Sequence, residues 1–143
     1  MITLGEASAL AERAHAGQTD HAGRPYREHV FAVRDLLAEH GEDAQIAGVL
    51  HDILEDTTTT ASGLLAAGVP EHVVAAVESV TRRQGEPYEA MVTRAAADPL
   101  GRLVKLADNL HNSDESRLAL LPADRAARLR TKYRRAREIL SPR

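Results

Sequence analysis

The sequence predicts an all-α protein, a compact single-domain bundle of seven to eight helices. Apolar residues recur three and four positions apart along most of the chain, which is the helical period. No segment alternates apolar and polar residues with the period of two that marks a half-buried strand. The chain contains no repeat and no linker that would divide it, so residues 1–143 are predicted to form one domain.

Three helices are predicted in the first part of the chain. Residues 3–17 open with a Thr-x-x-Glu capping box and continue as an apolar stripe. A loop rich in turn-forming residues, 18–25, leads to a second helix that begins at Tyr26 or Arg27. Residues 45–57 carry apolar side chains at the spacing of a core-facing helix, which is the third.

The later helices are separated by proline and by capping residues. A β-branched run, Thr57–Thr60, interrupts the helical pattern before them. We expect Pro70 to occupy the first position of its helix, because proline lacks the N–H that this position leaves unpaired. The predicted starts lie at Ser62, Pro70, Pro87, Asp98, and Pro122 or Ala123.

Composition limits the function classes. The net charge of −3 argues against non-specific nucleic-acid binding. No apolar run approaches the roughly 18 residues that span a bilayer, and the N-terminus lacks a basic, signal-like start, so we expect a cytoplasmic protein without a membrane partner. Cysteine is absent, so any metal is held by His, Asp and Glu, ligands that favour Mn, Fe, Mg or Zn.

The third predicted helix carries four polar groups in an apolar setting. His51 and Asp52 are each followed four residues later by a carboxylate, Glu55 and Asp56. Residues four apart share a helix face, so the four groups are predicted to form two adjacent columns. Carboxylates crowded beside an apolar face repel one another and lose hydration, and a divalent cation would offset both costs. The alternative is a solvated helix end, where acidic residues are common.

Two further candidates lie elsewhere in the chain. Lys105, Asp108 and Asn112 form the one polar stripe of a helix whose apolar residues predict burial, and a buried carboxylate needs a partner. The alternative is an internal pair between Lys105 and Asp108. His29 lies inside the second helix and is either a ligand or a hydrogen-bonded core residue.

Four motifs occur in a fixed order, and together they resemble a known family. They are Gly17-Gln18, Gly23-x-Pro25-Tyr26-x-x-His29, His51-Asp52-x-x-Glu55-Asp56-Thr57 and Lys105-Leu106-Ala107-Asp108-x-x-x-Asn112. This order resembles the HD-domain phosphohydrolases, within them the hydrolase domain of the RelA/SpoT family, and most closely its small single-domain alarmone hydrolases. The resemblance covers residues 11–133 and implies an HD-domain type of helical bundle.

The resemblance implies a role for each motif residue. The positions that match the four metal ligands, usually of Mn²⁺ although another divalent metal is possible, are His29, His51, Asp52 and Asp108. Glu55 and Asp56 match the acidic pair that positions and deprotonates the attacking water. Asn112 matches a contact to the substrate ribose region. Tyr26 matches a substrate-pocket tyrosine, with a structural role at the start of the His29 helix as the alternative.

The chemistry of phosphate ester hydrolysis explains these residue types. A metal lowers the pKa of its bound water from about 15.7 to about 7, and a carboxylate that takes the proton contributes ~10²–10⁴-fold to the rate. Basic side chains must also stabilise the departing phosphate. The candidates are Lys105, Arg24, Arg82 and Arg83, and a solvated charge is the alternative for each arginine. Arg130 and Tyr133 are candidates to close the pocket.

One loop departs from the family pattern. Alarmone hydrolases usually carry an Arg-Lys pair that grips the guanine base and a phosphate, and this chain has Asp20 and His21 there. Either Arg24 substitutes from a shifted position or the substrate differs. We therefore expect a metal-dependent phosphohydrolase that removes the 3′-pyrophosphate from ppGpp or pppGpp, giving GDP or GTP and pyrophosphate. The alternatives are another nucleotide substrate (an adenine alarmone or an NADPH-type phosphate) and a non-catalytic metal- or nucleotide-binding module. An oligomer is possible.

Overall fold

The protein folds into helices throughout the part that the computed structural model describes, residues 1–141. Within this range the backbone forms helices, turns and loops, with one isolated bridge between Thr19 and Pro25 and no β-strand. The all-α prediction is therefore confirmed. The helices are α1 Leu4–Ala14, α2 Tyr26–Leu36, α3 Glu42–Val49, α4 Ile53–Asp56, α5 Ala61–Ala66, α6 Glu71–Ser79, α7 Tyr88–Ala96, α8 Pro99–Asn112, α9 Glu115–Leu118 and α10 Ala123–Leu140, with a 3₁₀ turn at Ala38–His40.

Helix starts follow the capping signals. The Thr3 hydroxyl accepts the Glu6 N–H at 3.1 Å, and the Glu6 carboxylate accepts the Thr3 N–H at 3.0 Å, which is the predicted capping box. Asp98 caps α8 through hydrogen bonds from two backbone N–H groups, with Pro99 in the first turn. Pro70 lies one residue earlier than predicted: it is the N-cap of α6, with an extended ψ of 148°.

The prediction of one continuous helix over residues 45–57 is wrong. Helix α3 ends at Val49, and a turn at 50–52 separates it from α4. In that turn the Gly48 carbonyl accepts a long hydrogen bond from the His51 N–H (3.4 Å) and a short one from the His51 ring Nδ1 (2.6 Å). The buried imidazole thus uses the carbonyl that a continuous helix would reserve for the residue four positions on. The two polar columns expected on one helix face are consequently absent from this segment.

Helix α8 lies at the centre of the bundle. It contacts α2, α3, α6, α7 and α10, and its buried positions include Val104, Ala107 and Asp108. The main core lies between α1, α2, α3, α6 and α8, while a smaller cluster of Val92, Ala136 and Leu140 joins α7 to α10. Polar residues on α8 therefore face the interior, as its sequence predicts.

Two glycines permit close helix contacts near α8. At Gly48 a β-carbon would lie 2.6 Å from Leu37 Cδ1, so α2 and α3 approach closely there. At Gly101 a β-carbon would overlap Ser79 Oγ and lie 3.2 Å from the Ala95 carbonyl oxygen. Close packing at these points fixes the distance of α2 and α8 from their neighbours.

Arg94 of α7 ties down the loop that leads into that helix. Its guanidinium donates to the backbone carbonyls of Glu78, Ser79 and Thr81. It also pairs with the Glu86 carboxylate at 2.8 Å. The loop over 81–87, which carries Arg82, is thereby held against α6 and α7. In residues 1–141 no helix combines the length and the apolar character that crossing a bilayer requires.

We predict that Gly101→Ala lowers the free energy of unfolding by ~1–3 kcal/mol, because overpacking outweighs the gain of about 1 kcal/mol in helix propensity. Urea denaturation measures this change. Gly5→Ala is the matched control, since its β-carbon would meet nothing closer than Thr3 Oγ1 at 3.9 Å. A Gly101→Ala variant as stable as the wild type would contradict the packing described here.

Candidate metal centre

Four polar side chains from three parts of the fold meet in the interior. His29 comes from α2, His51 and Asp52 from the turn after α3, and Asp108 from α8. One potential ligand atom from each lies within 4.8 Å of all the others. His29 Nε2 is 2.9 Å from Asp108 Oδ1, and His51 Nε2 is 2.9 Å from Asp52 Oδ2. Both imidazoles are 2% exposed.

The turn at 50–52 is what lets His51 and Asp52 face the same point. Neighbouring side chains on a continuous helix diverge by about 100°. Because the helix is broken here, His51 Nε2 approaches both Asp52 and, at 3.3 Å, Asp108 Oδ1. The correction to the helix prediction therefore has a functional consequence, since the break brings two consecutive residues to one site.

Contacts on the outer side of each imidazole direct Nε2 toward the cluster. His51 Nδ1 donates to the Gly48 carbonyl oxygen at 2.6 Å, which directs Nε2 toward the carboxylates. His29 Nδ1 lies 2.7 Å from His111 Nδ1, which leaves its Nε2 facing Asp108. Metal-binding histidines typically have their second nitrogen held in this way. Two imidazole nitrogens and two carboxylates form a donor set that fits a divalent cation.

Charge is balanced within the cluster by protonation. Burial opposes the charged form of His51, but Asp52 and Asp108 raise its pKa well above the usual value. Burial would likewise raise the pKa of Asp52, yet the adjacent His51 lowers it to about 2. The protonated His51 imidazole therefore supplies positive charge next to the two carboxylates. Binding of a metal would displace that proton, so affinity for a metal rises with pH.

Asp108 has a second cationic partner. Lys105 is 8% exposed, and its ammonium donates to Asp108 Oδ2 at 2.9 Å. Burial favours the neutral carboxyl, but Lys105 and then His51 keep the pKa of Asp108 well below its usual value. Asn112 donates to the other oxygen, Oδ1, at 3.0 Å. The internal pair considered as an alternative for Lys105 is thus present, beside the cluster rather than instead of it.

Two adjoining cavities open onto the cluster. Their volumes are about 240 Å³ and about 340 Å³, and together they are within the range of ligand sites, roughly 300–1,000 Å³. The first cavity, here called the basic cavity, is lined by residues that include Glu55, Arg82, Tyr88, Lys105 and Lys132. The second, here called the loop cavity, is lined by residues that include Thr19, Asp20, His29, Asp56 and Arg117. Both cavities are also lined by His21, Tyr26, Asn112 and Tyr133.

The two predicted catalytic carboxylates line different cavities. Glu55 lines the basic cavity, where its carboxylate accepts the Arg82 N–H at 2.8 Å. Asp56 lines the loop cavity, and partial burial together with the charges of Asp52 and Glu55 raises its pKa to about 6. Between them, the Tyr26 hydroxyl donates to Asp52 Oδ2 at 2.5 Å. That hydrogen bond fixes Tyr26 to the cluster while its ring lines both cavities.

Of the other residues that the sequence suggested for the substrate pocket, some line the two cavities and some do not. Lys105, Asn112, Tyr26, Arg82 and Tyr133 line the cavities. Three arginines are not among the lining residues of these two cavities. Arg24 contacts Asp20 through its backbone, Arg83 donates its backbone N–H to Glu86, and Arg130 forms an exposed ion pair with Glu115 at 2.8 Å.

Sequence reasoning missed four residues at the site: Tyr88, His111, Arg117 and Lys132. His111 follows Asp108 by three positions, a spacing that could have drawn attention to it. Lys132 lies on α10 among several other basic residues, and its ammonium is 4.1 Å from the centre of the Tyr88 ring. Arg117 carries no local signal, because α9 reaches the site only through the tertiary fold.

Comparison with known proteins identifies the family. A family model described as "HD domain" matches residues 7–135. The chain belongs to the HD-domain family. Similar proteins include the "Probable GTP pyrophosphokinase" of Mycobacterium leprae, 36% identical over 93% of this chain and 18% of that protein. The "Bifunctional (p)ppGpp synthase/hydrolase RelA" of Mycobacterium tuberculosis is 36% identical over 97% of the chain and 20% of its own length.

Two further comparisons extend this result. The chain is 32% identical over 97% of its length, and 21% of the relative, to the "Bifunctional (p)ppGpp synthase/hydrolase SpoT" of Escherichia coli. It spans about a fifth of the length of these curated relatives. A solved structure described as a metazoan ortholog of SpoT that hydrolyzes ppGpp has the same fold: the TM-score is 0.82 at 24% identity, covering 96% of this chain and 84% of that chain. The assignment of residues 1–143 to one domain stays a prediction.

We predict that the metal-free HD domain gains thermal stability when Mn²⁺ is added. At 100 times Kd the stabilisation is about 2.7 kcal/mol, or roughly 5–10 °C in Tm. Asp108→Asn removes one carboxylate ligand and should abolish the shift. The control is Asp43→Asn, which alters an exposed carboxylate that lies 2.6 Å from His72 and should leave the shift unchanged. An undiminished shift in Asp108→Asn would contradict the site.

Proposed function

We propose that this HD domain is a Mn²⁺-dependent hydrolase that removes the 3′-pyrophosphate from ppGpp or pppGpp, giving GDP or GTP and pyrophosphate. The observation that carries the proposal is the cluster of His29, His51, Asp52 and Asp108 with carboxylates and cations in the cavities beside it. Relatives named (p)ppGpp synthase/hydrolase support it. Since the substrates are nucleotides, we also propose that the protein acts in the cytoplasm.

The carboxylates beside the cluster favour hydrolysis over phosphoryl transfer, although some relatives are named pyrophosphokinases. When bound, the cation would lower the pKa of a water molecule and offset the phosphate charge. Glu55 or Asp56 then takes the proton of that water. Asp56, with a pKa of about 6, accepts a proton readily near neutral pH. The 3′ oxygen leaves with the electron pair of the broken P–O bond and is protonated to the 3′ hydroxyl.

The basic cavity is suited to the anionic part of the substrate. Lys105 and Lys132 place their ammonium groups 5.5 Å and 4.1 Å from the centre of the same Tyr88 ring, and Arg82 lines the same wall. Burial, followed by repulsion from Lys105 and Arg82, lowers the pKa of Lys132. Like charges held together in this way are stabilised by an anion, and a diphosphate offers several acceptor oxygens for them.

The loop cavity is suited to the nucleoside. Tyr133 and Tyr26 offer aromatic surface for a base or ribose, and Asn112 is placed where the family resemblance assigns a ribose contact. Asp20 lies where alarmone hydrolases carry a base-gripping cation, and its carboxylate pairs with Arg117 at 2.9 Å. This difference is the specific observation that favours the second candidate, hydrolysis of an adenine alarmone or an NADPH-type phosphate. A non-catalytic binding module is a third candidate.

A nucleotide panel with Mn²⁺-loaded protein tests the proposal. We predict that the protein releases pyrophosphate from ppGpp and pppGpp. Chromatography of the nucleotide products measures this reaction. Turnover confined to an adenine alarmone or to NADPH would replace the proposed substrate with the second candidate. Nucleotide binding without any product would overturn enzymatic activity altogether.

The same assay, combined with a measurement of bound Mn²⁺, distinguishes loss of the metal from loss of the general base. Glu55→Ala and Asp56→Ala remove the carboxylates that flank the cluster without removing a ligand, so Mn²⁺ content should persist while at least one variant loses ~10²-fold or more in kcat. The matched control is Glu39→Ala, an exposed glutamate in the 3₁₀ turn. If both variants kept full activity, the role of these carboxylates as general bases would be wrong.

A further inference from the structure

A chain of polar contacts runs from the loop before α2 to the outer side of His29. Asp20 Oδ2 accepts from Arg117 Nη2 at 2.9 Å. The other terminal nitrogen, Arg117 Nη1, lies 2.6 Å from His111 Nδ1 and 3.2 Å from His29 Nδ1. His111 Nδ1 is in turn 2.7 Å from His29 Nδ1. One guanidinium thus joins an acidic loop residue to His111 and lies beside His29.

The hydrogen-bonding capacity of the three side chains makes His111 Nδ1 an acceptor that His29 and Arg117 share. If His29 Nε2 is to face a metal with its lone pair, its proton must sit on Nδ1, which then donates to His111 Nδ1. His111 Nδ1 must therefore be the unprotonated, accepting nitrogen. Arg117 can only donate, so its contact with His111 Nδ1 favours the same tautomer of His111. The ring centroids of His29 and His111 are 5.0 Å apart and the ring planes differ by 27°, so the two Nδ1 atoms face each other end to end.

Asp20 holds Arg117 in place. The two side chains are 7% and 15% exposed, so their ion pair is shielded from solvent. Oδ1 of Asp20 accepts from the backbone N–H groups of Ala22 and Arg24, and Oδ2 accepts from Arg117. Both carboxylate oxygens are therefore engaged in fixing the loop and the guanidinium, and neither is directed at a ligand in the loop cavity.

We propose that Arg117 is a positioning residue for the metal ligand His29, acting through His111 and anchored by Asp20. The inference rests on the metal centre of the proposed function and not on its substrate. It assigns Asp20, which interrupts the family's base-gripping pair, to support of the metal centre. Loss of contacts of this kind around a metal ligand typically lowers metal affinity ~10–100-fold. A competing possibility is that Arg117, which also lines the loop cavity, serves the substrate alone.

The test is the Kd of Mn²⁺ for the metal-free protein, measured by calorimetry, which requires no turnover. We expect Kd to rise ~10–100-fold in Arg117→Met. Asp20→Asn keeps an acceptor for Ala22 and Arg24 but loses the ion pair, and we expect a smaller rise. In Arg117→Lys a single ammonium cannot bridge Asp20 and His111 as two guanidinium nitrogens do, so affinity should recover only in part. The matched control is an exposed Arg–Asp pair, altered in Arg128→Met and Asp124→Asn.

A double-mutant cycle tests the order of the chain. If Asp20 acts through Arg117, Asp20→Asn adds no further loss of Mn²⁺ affinity once Arg117 is Met. The inference is overturned if Arg117→Met and Asp20→Asn both bind Mn²⁺ as the wild type does, or if their losses add. Should Arg117→Met fail to fold by circular dichroism, Asp20→Asn and Arg117→Lys decide the question against the same control pair.

The experiment also distinguishes this inference from the proposed function. Wild-type Mn²⁺ affinity in Asp20→Asn and Arg117→Lys, together with an elevated KM, would assign Arg117 to the substrate and leave the hydrolase proposal standing. If these variants bind Mn²⁺ more weakly and the wild type cleaves no ppGpp, the positioning role of Arg117 is supported and ppGpp is rejected as the substrate.

Discussion

The structure depends on how two carboxylates, Asp52 and Asp108, are kept charged in the interior. A buried carboxylate is costly unless cations and hydrogen-bond donors surround it. His51 lies between the two carboxylates, and Lys105 holds the outer oxygen of Asp108. Helix α8 carries Asp108 and Lys105 through the centre of the bundle, so the helices that pack on it also determine the geometry of the cluster. A divalent cation bound at the cluster would offset the negative charges of both carboxylates.

The same constraint explains the irregular features near the site. The turn at 50–52 interrupts the helix, and because of this interruption the side chains of His51 and Asp52 meet at one point. Outside the cluster, Gly48 and His111 occupy the second nitrogen of each imidazole. Cations line the basic cavity together with Glu55, whereas Asp56 lines the loop cavity together with Arg117. A nucleotide 3′-diphosphate bound at the centre would meet cations at its phosphate oxygens and a carboxylate at the attacking water.

Sequence reasoning predicted the helices and brought together His29, His51, Asp52 and Asp108, because helical periodicity is local and the motif order is specific. The break after Val49 was missed because the apolar spacing continues through Leu50 and Ile53 without interruption. Arg117 was missed for a different reason. It lies 88 residues from His29 in sequence, and an ordinary arginine in a short helix gives no sign of a partner that only the tertiary fold supplies.

Hydrolysis of ppGpp in ¹⁸O-enriched water tests the central claim most directly. If the centre activates water against the phosphorus that carries the 3′ oxygen, the bond between that oxygen and phosphorus breaks. Mass spectrometry should then find ¹⁸O in the pyrophosphate and none in the GDP. Label in the nucleotide, or release of labelled orthophosphate in place of pyrophosphate, would contradict the account.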